Sequence, residues 1–237
     1  MDRFGLRAGI EASRMSKRGG QRVVGVRLPH VGHTLWARPG TSDPATFDEV
    51  FLSGEYNLPF EGFAPDTILD LGANVGYTSV LFASRWPNAR VLAVEPSSEN
   101  FGMLQQNIAA WPNVTAVHAA VWSHSGPLEI SNPEGDPNAF RVSEAAPASR
   151  HSVQGMTLMD LIHSLGEERV SLIKMDVEGA EAELFKTSAD WLDRTDVLVV
   201  ELHDRLVPGC AQGLCDGLRG RSFRQEIMGQ NLAIDFR

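Results

Sequence analysis

Four short apolar runs, each closing on an acidic residue, recur at a regular interval, and this limits the chain to one class of fold. Thr67-Ile68-Leu69 closes on Asp70, Arg90 to Val94 on Glu95, Val170 to Met175 on Asp176, and Val197-Leu198-Val199-Val200 on Glu201. Asp70 to Glu95 and Asp176 to Glu201 are each 25 residues apart, room for one strand, a short loop, a helix and a return loop. A fifth run, Val114 to His118, leads into Ala119, Ala120 and Val121. Near-continuous apolar strands alternating with helices predict a parallel sheet covered on both faces, an α/β doubly wound domain.

The segments between the runs carry helical spacing. Tyr77 to Ala83 is apolar along one side and stops before Pro87. Ser97 or Ser98 offers a start for a helix with Phe101, Leu104 and Ile108 on one face, which Pro112 and Asn113 end. A helix over 180–192 would turn Leu184, Phe185 and Leu192 to the sheet and leave Glu181 and Glu183 in solvent. Two stretches break the rhythm. Residues 123–152, with Gly126, Pro127, Pro133, Gly135, Pro137 and Pro147, read as an inserted hairpin or loop of the kind that often forms a lid. Residues 1–40 read as an N-terminal arm, partly ordered, with short strands near Val23–Leu28 and Thr34–Ala37; the main domain then spans 41–237. Within the arm, residues 1–22 hold Arg3, Arg7, Arg14, Lys17, Arg18 and Arg22 against Asp2 and Glu11, a solvated basic segment.

Charge and composition exclude several partners. Lys+Arg 21 against Asp+Glu 30 gives a net charge of −9, a poor match to phosphate backbones, so nucleic acid is not expected. No apolar stretch approaches the ~20 residues of a membrane span, and no apolar core follows the N-terminal basic residues as in an export signal. Cys210 and Cys215 build neither a disulfide framework nor a usual zinc pattern. A cytoplasmic protein is expected.

The loop after the first strand narrows the ligand. Asp70-Leu-Gly72-Ala-Asn74-Val-Gly76-Tyr-Thr78 is strand, glycine turn and helix start, spaced G-x-x-x-G rather than the dinucleotide fingerprint G-x-G-x-x-G. Gly72 lets the backbone approach a ligand, and Gly76 lets the helix begin without a Cβ clash. Asp70 would repel a phosphate but suits an amino group or a sulfonium. Glu95, closing the next strand, can take both hydroxyls of a ribose. A ribose, no phosphate at the loop and a cationic amino-acid tail together describe S-adenosylmethionine. Its adenine would lie beside Ala119 and Ala120. A purely structural role for Asp70 is the competing reading.

Asp70-Leu-Gly-Ala-Asn-Val-Gly76, Glu95-Pro96, Lys174-Met-Asp-Val-Glu-Gly-Ala-Glu181 and Glu201-Leu-His203-Asp204, in that order, resemble the FkbM-type S-adenosylmethionine-dependent methyltransferases. The similarity runs over roughly 41–237, with Thr41-Ser42-Asp43 and Glu55-Tyr56 ahead of the sheet. It implies a class I, Rossmann-like methyltransferase sheet of about seven strands, the last antiparallel. It also implies O-methylation of a sugar, glycolipid or polyketide-type hydroxyl. The resemblance alone points to Tyr56 as a residue closing over the cofactor, and residues 1–40 match no part of it.

Transfer from a sulfonium to an alcohol needs in-line alignment and a way to remove the hydroxyl proton. Asp176 and Glu178 after one strand, and Glu201, His203 and Asp204 after the next, converge for this purpose, and Asp176 joins Asn74 and Thr78 of the glycine loop among the expected cofactor-binding residues. One reading makes His203 the general base, oriented by a carboxylate. The other places Mg²⁺ or a similar ion on Asp176, Glu201 and His203. Glu178 reads equally as a helix-start residue. His30, His33, His124, His151 and His163 read as surface or core residues, with His151 a possible cleft wall in the insertion. Two further classes stay open on sequence alone: a nicotinamide-dependent oxidoreductase on a similar sheet, and a non-catalytic binding module that keeps the fold.

Overall fold

The computed structural model describes residues 23–28, 31–132, 141–144 and 152–237. Residues 1–22 of the arm, His30, His151 and the middle of the 123–152 insertion lie outside them. A hairpin, β1 (Val24–Arg27) and β2 (Thr34–Ala37), is followed by α1 (Asp43–Asp48), which runs on into a five-residue π-helical turn, Glu49–Ser53. Then come β3 (Thr67–Leu71), α2 (Tyr77–Arg85), β4 (Arg90–Glu95), α3 (Ser98–Ile108) and β5 (Val114–His118). The second half holds α4 (Leu158–Ser164), β6 (Val170–Met175), β7 (Thr195–Glu201), α5 (Cys210–Leu218), β8 (Arg224–Met228) and β9 (Asn231–Asp235).

These strands form one seven-stranded sheet in the order β8-β9-β7-β6-β3-β4-β5. Neighbours from β5 across to β7 pair in parallel, whereas β9 is antiparallel both to β7 and to β8. The last strand therefore runs against the rest, as the family resemblance implies, while the strands from β5 to β7 are parallel as the periodicity predicts. The chain leaves β3 toward β4 and β5 on one side and returns to β6 and β7 on the other. Loops at the carboxyl ends of β3 and β6 splay apart there and leave a crevice.

Alternation along the buried strands explains why they are apolar throughout. Ile68, Val91, Leu172 and Val197 face a core shared with α2, α3 and the β1–β2 hairpin. Leu69, Leu92, Ile173 and Leu198 face the opposite core with α4, Trp191 and Leu214. The hairpin is fastened by Asn107 of α3: its Oδ1 accepts from Trp36 N at 2.6 Å, and its Nδ2 donates to Val75 O at 2.8 Å and Trp36 O at 3.0 Å. One amide thus ties the first strands to the glycine loop.

Two local expectations change. The single helix over 180–192 is a chain of short turns, α-helical at Glu181–Leu184 and Ser188–Trp191 and 3₁₀ at Phe185–Thr187 and Leu192–Arg194. Glu181 is fully buried rather than solvated, because its carboxylate is bound inside the site described below. The insertion contributes strands Gly126–Ile130, Val142–Glu144 and Ser152–Met156, which join Ala120–Val121 in a four-stranded sheet of their own. No helix among the described residues is long and apolar enough to cross a membrane.

Asp235 anchors the antiparallel edge. Its buried carboxylate accepts from Arg237 Nε at 2.9 Å and Arg237 N at 3.0 Å, and it pairs with Arg224 on the neighbouring strand. Burial opposes ionisation, but the hydrogen bonds from Arg237 and Arg224 prevail and hold the carboxyl at about 2. Because the folded value lies below the ordinary ~3.9, the stabilisation is complete above about pH 4 and fades as pH falls toward 2. Asp235→Asn should lower unfolding free energy by about 1–3 kcal/mol at pH 7. In urea denaturation, the gap between wild type and variant should shrink steadily from pH 4 downward.

Candidate active site

The crevice at the carboxyl ends of β3, β4, β6 and β7 is lined on one side by Gly72, Asn74, Thr78, Glu95, Ala119 and Ala120. Tyr56, Lys174, Asp176, Glu178, Glu201 and Glu49 line the other. Eight expected cofactor residues therefore share one cleft: Tyr56, Gly72, Asn74, Thr78, Glu95, Ala119, Ala120 and Asp176. Glu95 is buried and pinned by backbone: Oε2 accepts from Asn74 N and Oε1 from Ser97 N, both at 2.9 Å. Burial pushes its carboxyl up to about 7, against those two amides. Asn74 adopts φ +51°, and its buried Oδ1 has no hydrogen-bond partner.

Asp70 and Gly76 are the two expected cofactor residues that do not line the cleft. Asp70 is fully buried beneath the loop, where Oδ2 accepts from Ser79 Oγ at 2.5 Å and Oδ1 lies 3.4 Å from Lys174 Nζ. Its carboxylate answers an internal cation instead of a ligand's amine. Lys174 also donates to Gly72 O at 2.8 Å and Leu71 O at 3.3 Å, and lies 3.6 Å from Asp176 Oδ2. Burial works against this ammonium, yet Asp70, Tyr56 and Asp176 raise its pKa above the usual lysine value. Gly76 starts α2 at φ +88°, where a Cβ would lie 2.6 Å from Leu104 Cδ1.

His203 sits at the centre of four carboxylates and is 1% exposed. Its Nδ1 is 2.9 Å from Glu181 Oε1. Its Nε2 faces Glu201 Oε1 at 3.5 Å, Glu178 Oε2 at 3.6 Å and Asp176 Oδ1 at 3.7 Å. Burial alone would lower the imidazole's pKa, but Glu181 and Glu201 outweigh it and push it up to about 10. A protonated ring offers no lone pair, and His203 does not itself line the cleft. The groups presented at the wall are Asp176, Glu178 and Glu201. Glu201 is held below the ordinary glutamate value: burial opposes this, and His203 and Lys174 overcome it. It is ionised at neutral pH.

Residues 70–213, more than half of the chain, match the methyltransferase FkbM domain. The chain belongs to the FkbM methyltransferase family. The class I, Rossmann-like sheet is the one this family uses, which sets aside the nicotinamide-dependent oxidoreductase reading. Among relatives, it is 26% identical over 88% of its length to the AMB antimetabolite synthetase AmbE of Pseudomonas aeruginosa, of which it covers 11%. It is 26% identical over 60% of its length to the hexuronic acid methyltransferase AglP of Haloferax volcanii, covering 58% of that protein. Identity to the 2-O-methyltransferase NoeI of Sinorhizobium fredii is 25%, over 60% of this chain and 65% of NoeI. The chain thus spans less than two thirds of each of these relatives.

Three members of this FkbM site escaped sequence reasoning. Lys174 was visible as the lone cation in an apolar strand, a position that demands a buried partner. Glu181 was hidden by an assumed regular helix. Glu49 comes from the π-helical turn ahead of the sheet, and no spacing rule connects it to Asp176 or Glu201. Burial, then Glu55, Asp176 and Glu201, push its carboxyl to about 7.

The loop's closeness to β6 sets a test. Gly72 has φ +72°, and a Cβ there would stand 1.8 Å from the Asp176 carbonyl oxygen. Gly72→Ala should cost about 3 kcal/mol or more, from strain plus the displaced loop. Chemical denaturation at neutral pH should show it, whereas Gly62→Ala, at φ +73° in open space, should cost only about 1–2 kcal/mol.

Proposed function

We propose that this FkbM methyltransferase methylates a hydroxyl of a small molecule: a sugar, a glycolipid or a polyketide-type compound. The observation that carries the reading is the pairing of two elements across one cleft. Glu95, fixed by the Asn74 and Ser97 amides, stands beside the glycine loop, and the carboxylate wall of Asp176 and Glu201 stands opposite.

The residues fit the cofactor. Glu95 presents a buried acceptor for ribose hydroxyls, the orphaned Asn74 Oδ1 awaits a donor, and Ala119 and Ala120 offer a small apolar surface for a flat base. When bound, S-adenosylmethionine supplies an electrophilic methyl group on a sulfonium, which departs as a neutral thioether. The chain's own part is to place and deprotonate the acceptor. The ionised Glu201 takes the hydroxyl proton at the wall, and His203, 3.5 Å behind its Oε1, stabilises the carboxylate and holds it in place. Asp176 bridges the two halves, close to both Lys174 and His203. Anionic side chains along this wall favour a neutral or cationic acceptor over a phosphate-bearing nucleic acid. The name of NoeI, a 2-O-methyltransferase, agrees with transfer to a hydroxyl oxygen.

Calorimetric titration with S-adenosylhomocysteine tests the cofactor half. Wild type should bind, and Glu95→Gln should weaken binding about 10-fold or more, the value of a charged hydrogen bond. Unchanged affinity in that variant would remove Glu95 from the site. Screening hydroxylated acceptors for S-adenosylhomocysteine release tests the rest. Glu201→Gln and His203→Ala should each lose about 10²-fold or more in kcat while keeping S-adenosylhomocysteine affinity within a few fold. Full turnover in both variants would discard the proton-transfer assignment, and no turnover of any hydroxylated acceptor by wild type would favour the non-catalytic module.

A further inference from the structure

We propose that Asp176, Glu178 and His203 bind a first-row divalent metal ion such as Mn²⁺ or Zn²⁺ at the edge of the cleft, with Glu181 as the positioning residue that aims the imidazole. The use made of the ion rests on the methyl-transfer reading; its binding does not.

One imidazole nitrogen and two carboxylate oxygens from these residues lie within 4.8 Å of one another. His203 Nε2 is 3.7 Å from Asp176 Oδ1 and 3.6 Å from Glu178 Oε2. Two ligands, each about 2.1 Å from a shared ion at a tetrahedral angle, stand about 3.4 Å apart, so the two histidine–carboxylate spacings need only a few tenths of an ångström of contraction. The close ion pair of this ring is on its other nitrogen, where Glu181 lies 2.9 Å from Nδ1. Around Nε2, Glu201, Glu178 and Asp176 all stand off by 3.5–3.7 Å, which leaves room between them for an ion.

Two further observations point the same way. His203 is 1% exposed, its Nδ1 is taken by Glu181, and its Nε2 is aimed between three carboxylates, where an ion would take the place of the ring proton. Glu181 is itself fully buried and immobilised, accepting from Val177 N at 3.2 Å and Gly179 N at 3.1 Å. A carboxylate behind a ligating histidine is the usual means of fixing its tautomer and orientation. The buried Oε2 of Glu178 has no hydrogen-bond partner, an oxygen waiting for a cation.

The donor set also revises the sequence expectation. Glu201 is outside the mutually close group and Glu178 is inside it. A histidine nitrogen with two carboxylates suits Mn²⁺ or Zn²⁺ better than Mg²⁺, which favours an all-oxygen shell. Since Asp176 and Glu178 line the cleft, an ion there borders the space an acceptor enters and can lower the pKa of its hydroxyl.

The test uses the full chain, freed of metal with a chelator, and Mn²⁺ itself as the probe. Free Mn²⁺ is followed by electron paramagnetic resonance, with Zn²⁺ as competitor. One Mn²⁺ should bind per chain, and Zn²⁺ should displace it. Glu178→Gln and Asp176→Asn should each lose at least about 10-fold in affinity, and Glu181→Gln about 10–100-fold through the misaimed ring. Glu226→Gln, on the exposed strand β8, should bind like wild type. S-adenosylhomocysteine affinity and melting temperature are measured on every variant, so a folding failure or a failed cofactor site is recognised separately. Absence of Mn²⁺ and Zn²⁺ binding up to about 1 mM in a wild type that binds S-adenosylhomocysteine would overturn the site. Undiminished binding by a folded Glu178→Gln variant would do the same.

Discussion

The buried ammonium of Lys174 is the point on which the site is hung. It projects from β6, the strand next to β3, and meets Asp70 together with the carbonyls of Leu71 and Gly72 at the end of β3. Its other neighbours are Asp176, at the end of its own strand, and the ring of Tyr56 5.9 Å away. An ammonium in that position without Asp70, or Asp70 without it, would leave an isolated charge in a dry interior, a defect of about 3–5 kcal/mol. The pair therefore locks the glycine loop to the end of β6. Gly72 follows from the same contact, since only a residue without Cβ can pass so close to the Asp176 carbonyl.

From this anchor the charges sort into two kinds. Asp70 and Glu181 are fully buried and spoken for, one by Lys174 and Ser79, the other by His203 and two backbone amides. Asp176, Glu178, Glu201 and Glu49 reach the cleft, and there the acids outnumber the cations. Burial, reinforced by repulsion from the neighbouring carboxylates, holds Glu178 and Glu49 near 7. A wall so arranged favours positive charge on whatever enters, which agrees with a sulfonium cofactor and with a bound divalent ion.

Much of the fold was legible because period and punctuation act locally. The acid-terminated apolar runs at Asp70, Glu95, Asp176 and Glu201 are strands, and Ser97 caps the helix its position promised. The regular helix over 180–192 failed because Thr187 leaves the helical region at φ −109°, ψ +20°, and the chain tightens to 3₁₀ turns at Phe185–Thr187 and Leu192–Arg194. Glu181 was misread in consequence: on a regular helix it belongs to the outer face, whereas here it folds back to accept from the Val177 and Gly179 amides of the preceding loop and reaches His203. Asp70 was misread for a different reason. A carboxylate before a glycine loop suits a ligand's amine and an internal lysine equally, and sequence spacing does not say which cation arrives first.

The sequence by itself determined the alternating architecture, the place where its loops splay apart and the residue types gathered there. These follow from local periodicity, from glycine's freedom at Gly72 and Gly76, and from acids set at strand ends. Only the tertiary structure decided how the charges are partnered. It set Lys174 against Asp70, turned His203 toward Asp176, Glu178 and Glu201 with Glu181 behind it, and brought Glu49 from the π-helical turn to the same wall. Those pairings join residues up to about a hundred positions or more apart, through side chains whose reach and burial depend on the whole sheet being packed. No local rule carries that information.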